Sequence, residues 1–170
     1  MEYYILAQDN LVSNYPMIKD KGIIKSVFND AAPLYCESKQ YTSTRGYVEL
    51  PFIDRPCFMV SDKLREIFSC YQEGGQFRTV VLDGIDGYGV LYYFFQPFLL
   101  DCLSDQTVFY SRMTVKELVL DERKICGNKV FQVAGLSERY LIIDLEILEL
   151  MLCGGVNPIA FKKVAVEKHD

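Results

Sequence analysis

Two stretches of the chain, 83 residues apart, carry the same order of signals, and that order restricts the fold more than any other feature. Cys57-Phe58-Met59-Val60 is a short apolar run that ends in Ser61, a helix-capping residue type. Leu64, Ile67, Phe68 and Tyr71 follow at the spacing of one helix face, and Gly74-Gly75 stops it. Tyr140-Leu141-Ile142-Ile143 likewise leads into a capping residue, Asp144. Ile147, Leu150 and Met151 repeat the helical spacing, Gly154-Gly155 ends it, and Pro158 prevents its resumption. Ser61 thus matches Asp144, Glu66 matches Glu149 and Cys70 matches Cys153; one inserted residue later, Phe77 matches Phe161 and Val80 matches Val164. A strand–helix–Gly-Gly–strand unit used twice predicts two copies that bury their apolar faces against each other.

Strands are predicted where β-branched and aromatic residues cluster: Tyr3 to Leu6, Tyr47 to Leu50, Thr79 to Leu82, Val90 to Phe95, Thr107 to Tyr110 and Lys129 to Val133. Gly127-Asn128 between two apolar runs predicts a two-residue hairpin. Asp83 to Gly89 holds three glycines, but a strand rather than a helix follows, so it is a turn and not a phosphate loop. Ile24, Val27 and Phe28 suggest a third, weaker helix, and Phe98 to Leu103 fits either strand or helix. The expected class is α+β, mainly antiparallel sheet with two or three short helices. Residues 1–56 are expected as an N-terminal strand-containing segment packed on a main α+β domain of residues 57–170.

Composition removes several functions. The single histidine, His169, lies at the end of the sequence, so no positioned imidazole is expected for nucleophilic catalysis. The spacing of Asp, Glu and Cys suggests no metal site, and no cofactor is expected. Six cysteines contain no Cys-x-x-Cys pair and sit mostly among apolar neighbours, which predicts reduced thiols and a cytoplasmic location. The start of the chain lacks a cationic, apolar secretory signal, and no apolar run approaches the roughly 20 residues of a membrane span. With 18 basic against 23 acidic residues, coating of nucleic-acid phosphates is not expected.

The charge is unevenly placed. From Asp83 to Glu122 the acids are Asp83, Asp86, Asp101, Asp105, Glu117, Asp121 and Glu122, against only Arg112 and Lys116. That window holds the whole net charge of -5 and predicts a surface that attracts a cationic partner. Its partner-binding candidates are Asp83, Asp86, Asp101, Asp105, Asp121 and Glu122. If Phe98 to Asp105 were helical, Asp101 and Asp105 would share a face, the one arrangement that hints at acid–base chemistry.

Cys57-Phe58-Met59-Val60-Ser61-Asp62-Lys63-Leu64, then Phe77 to Leu82, Tyr92 and Asp101, then Gly127 to Val133, Tyr140 to Glu149 and Gly155 to Val164, together form a pattern. It resembles immunity-protein family eleven of bacterial polymorphic toxin systems, across residues 57 to 166. The resemblance implies a small cytoplasmic bacterial protein that binds a cognate, possibly basic, protein toxin and blocks it by occlusion. It supplies no catalytic residues. The alternatives are a regulatory or self-assembling interaction module, and a carboxylate-based hydrolase built on Asp101 and Asp105.

Overall fold

The computed structural model describes residues 1–12, 15, 17–18, 34–36, 38–39, 48–71, 75–82, 89–111 and 114–168. Asp83, Asp86, Arg112, His169, most of the 83–89 turn and the helix suggested near Ile24 lie outside them. In chain order the elements are β1 (Tyr3–Ala7), β2 (Met17–Ile18), β3 (Leu34–Cys36), β4 (Ser38–Lys39), β5 (Phe52–Ile53), β6 (Met59–Val60), α1 (Asp62–Tyr71), β7 (Gln76–Leu82) and β8 (Val90–Gln96). They continue with β9 (Leu99–Leu100), β10 (Val108–Ser111), β11 (Thr114–Glu117), β12 (Val119–Asp121), α2 (Glu122–Ile125), β13 (Val130–Val133), β14 (Leu141–Asp144), α3 (Leu145–Cys153) and β15 (Ala160–Glu167).

Two sheets dominate: β3-β7-β8-β6-β5 and β12-β15-β1-β14-β13-β9. Most neighbours are antiparallel, and the class is α+β with sheet predominant. The strands of residues 1–56 are interleaved with the rest: β1 is an inner strand of one sheet, and β3 and β5 are the edges of the other. Two-stranded pairs, β2-β4 and β10-β11, complete the described sheet structure.

The repeated unit is present in three dimensions. β6 and β7 are both antiparallel to β8, so they run parallel to each other on either side of it, with α1 crossing between them. β14 and β15 stand in the same relation to β1, with α3 crossing. Both helices start as the caps predict. Ser61 Oγ accepts from the Leu64 amide at 3.4 Å, and Asp144 Oδ1 accepts from the Ile147 amide at 2.9 Å. Each cap stabilises its helix by about 1 kcal/mol. Gly155, at φ 69°, follows α3 in the left-handed conformation that closes a helix cheaply only with glycine.

Alternation along the strands sorts the core. Val60, Phe95, Leu6 and Ile143 point to the side of the helices, where Leu64, Phe68, Ile147 and Met151 join them in one core shared by both sheets. The helices also meet directly, and the Lys63 ammonium of α1 donates to the Gly154 carbonyl at the end of α3. Met59, Tyr92, Phe94 and Val80 point to the opposite face of the first sheet, against Cys36, Leu50 and Ile18. Tyr3, Ile142 and Val164 do the same in the second, against Cys102, Leu120, Ile125 and Phe131. Each such side chain contributes roughly 1.5–3 kcal/mol on burial.

Two local expectations are corrected, and a third is decided between its alternatives. Residues 48–50 form no strand. Pro51 cannot donate to a ladder, and the Leu50 carbonyl instead accepts the Tyr92 hydroxyl at 3.0 Å. Gly127-Asn128 is not a hairpin. Asp121 caps the single turn α2 by accepting from the Arg123 amide at 2.9 Å, and Cys126 and Gly127, at φ 50° and 78°, end that turn. The flanking strands then part, β12 pairing with β15 and β13 with β14 and β9. Phe98 to Leu103 is extended: β9 runs parallel to β13, and Leu103 bridges Leu120.

Candidate protein-binding surface

After β9 the chain passes antiparallel to β12. The Asp121 amide donates to the Cys102 carbonyl at 2.9 Å, and the Ser104 amide to the Val119 carbonyl at 3.0 Å. Cys102 and Ser104 face inward and are buried, so Asp101 and Asp105 face out. Asp101 lies in the extended stretch and Asp105 in the turn that follows it, so no helical spacing pairs the two acids.

Ser104 turns the chain, its Oγ accepting the Gln106 amide at 3.0 Å. Thr107 Oγ1 then donates to the Val119 carbonyl at 2.8 Å and accepts the Val119 amide at 3.3 Å. This double bond clamps the base of an excursion, the β10–β11 hairpin. Val108, Phe109, Tyr110 and Ser111 are all exposed, Tyr110 at 73%. The hairpin joins no larger sheet among the described residues, and a two-stranded pair is marginal alone in water. The Lys116 ammonium lies 5.9 Å from the Tyr110 ring centre, the one nearby cation–π contact among the described residues. Glu117 is exposed at the far end of β11.

The other acids have structural work. Asp121 caps α2 and lies 4.0 Å from the Lys124 ammonium, and Glu122 lies 2.8 Å from the Met1 amino group. Among the described acids of the window, Asp101, Asp105 and Glu117 are therefore the ones left facing solvent. The exposure of Phe109 and Tyr110 was not legible in the sequence, where Thr107 to Tyr110 has the composition of a core strand.

A second concavity, an open cleft of about 430 Å³, lies between the end of β1, the Asp54-Arg55 turn and residues 137–140. Its charges are mixed. Arg139 donates to the Pro56 carbonyl and stacks over Phe58, Tyr140 donates to Glu138, and Arg55 Nε is 3.8 Å from Asp54. Burial first, then Glu138, pushes the Tyr140 phenol up to about 12. Among the described residues, no three His, Cys, Asp or Glu side chains gather as a metal site requires. The six cysteines are free: Cys36 and Cys102 buried, Cys57 partly so, and Cys70, Cys126 and Cys153 exposed, against the apolar surroundings expected for Cys70 and Cys153. No described helix is long and apolar enough to cross a membrane. No protein-family model and no curated protein matches the chain.

Proposed function

We propose that this chain is a cytoplasmic binding protein of the toxin-immunity kind, which neutralises a cognate protein toxin by covering its active surface. The observation that carries the reading is the exposed Val108-Phe109-Tyr110 strand, held out by the Thr107–Val119 clamp, with exposed Glu117 paired to Val108 and exposed Asp105 in the turn just before it. An aromatic centre with an acidic rim is the composition of a protein-recognition patch, in which aromatics supply affinity and the rim supplies steering. A basic partner, such as a nuclease whose own ligand is phosphate, fits that rim. The sequence pattern across residues 57 to 166 supports the same reading. The test is the affinity for the toxin encoded beside this protein's gene, measured at low and high salt. Nanomolar binding with an on-rate that falls as salt rises is expected, and no binding at either salt overturns the proposal.

A further inference from the structure

The correspondence between the sheets extends beyond the strand–helix–strand unit, and its register fixes residue pairs. Tyr3 faces Val164 and Tyr92 faces Val80, and the two valines are equivalent positions of the repeated unit. Tyr4 faces Ile143 and Tyr93 faces Val60, again equivalent partners. β1 and β8 therefore align as Tyr-Tyr-Ile-Leu with Tyr-Tyr-Phe-Phe, at a shift of 89 rather than 83.

The outer strands follow. β3 is parallel to β7 and β12 is parallel to β15, which sets buried Cys36 opposite Leu82 and buried Leu120 opposite Val166. β5 and β13 flank β6 and β14, which matches Phe52 with Val130 and Ile53 with Phe131. One hydrogen bond recurs: the Ser61 amide donates to the Pro51 carbonyl, and the Asp144 amide to the Lys129 carbonyl, both at 2.9 Å. β9 has no counterpart in the first sheet, and among the five matched strands only the middle ones break the chain order, since β8 follows its sheet's other strands and β1 precedes its own.

That exception disappears if each copy begins with its middle strand. We infer that residues 3–82 and 90–167 are two tandem copies of one unit that have exchanged leading strands. β1 of the first copy completes the second sheet, and β8 of the second completes the first. Without the exchange, β6 and β7 are two strand spacings apart, about 9.5 Å, and cannot pair with each other. Each slot is thus a site for an antiparallel strand that puts a buried tyrosine opposite a valine, and the other copy supplies it.

If β1 occupies the place of a strand following β15, the chain tolerates one specific rearrangement. A permuted chain starts at Leu11, runs to Lys168, and returns through a copy of residues 83–89 into residues 1–10. It is expected to melt within about 4 °C of the parent, with the amides of residues 3–7 protected from exchange. Free exchange of those amides in a folded permutant overturns the inference. A second variant covers failure of the permutant to fold: the full chain with a protease site inserted in 83–88 and cut after folding. The two pieces are expected to elute together at the size of the intact chain and to separate only in denaturant. Pieces that part in native buffer, each keeping its own sheet, overturn the exchange.

Discussion

Tyr3 and Tyr92 fill equivalent places in the two sheets, each 1% exposed, yet their hydroxyls meet different acceptors. Tyr92 donates to the Leu50 carbonyl at 3.0 Å, whereas Tyr3 points to the Met1 thioether at 3.5 Å. Burial pushes the Tyr3 phenol up to about 12, so it stays protonated at ordinary pH. Tyr92→Phe strands a buried carbonyl and is expected to cost about 1–2 kcal/mol. Tyr3→Phe loses only a weak sulfur acceptor and is expected to cost less than half as much. Urea midpoints with an unchanged slope check the difference.

Asp144 gives a pH prediction. Burial raises its carboxyl above the ordinary value, although the Ile147 amide and Lys129 pull the other way. The folded state then holds this proton more tightly than the unfolded chain does. The stability from that difference is complete below the unfolded value of 3.8 and is lost as pH rises through the folded value. Asp144→Asn keeps a capping acceptor without the charge. Its stability relative to the parent is expected to climb with pH across that window and to level off above it. Asp144→Ala is expected to follow the same pH trend about 1 kcal/mol below Asp144→Asn throughout. Thermal melts of the three proteins from pH 3.5 to 7 decide the matter.

The thiols divide by position. Cys70, Cys126 and Cys153 are exposed, while Cys57 and Cys102 are pushed up to about 12 by burial and Cys36 is enclosed. Iodoacetamide at pH 8 is expected to label the first three in the native protein and the other three only after unfolding. Mass spectrometry of timed samples reads this directly, and early labelling of Cys102 would contradict the packing beneath β12.

The hairpin separates binding from stability. Tyr110→Ser and Phe109→Ser remove exposed side chains and are expected to change stability by no more than about 0.5 kcal/mol. In the proposed complex, the loss of a central aromatic is expected to weaken binding by roughly 2 kcal/mol, about thirtyfold. Asp101→Asn with Asp105→Asn is expected to slow association and flatten its salt dependence, leaving the dissociation rate nearly unchanged. Binding kinetics at two ionic strengths test all four substitutions.

Much of the architecture was legible because local signals agreed with the global fold. Ser61 and Asp144 mark helix starts, Gly155 marks a stop, and Tyr3 to Leu6, Thr79 to Leu82 and Val90 to Phe95 are strands where their composition places them. The equivalence of Tyr3 and Tyr92 was hidden, because the aligned strands sit at different shifts and only register reveals them. Gly127 was assigned to the wrong turn, since a glycine at positive φ serves a hairpin and a helix end equally well. Exposure at Tyr110 was illegible for a related reason. Aromatic strands look alike in sequence whether a second layer covers them or not.

The exchange of leading strands also sets a timetable for biosynthesis. Tyr3 is made 141 residues before Asp144, the first of its two cross-strand partners, which at about 5–20 residues per second is roughly 7–28 s. Through that interval Tyr-Tyr-Ile-Leu is an unpaired apolar strand emerging from the ribosome, the kind of segment that chaperones shield or neighbouring nascent chains capture.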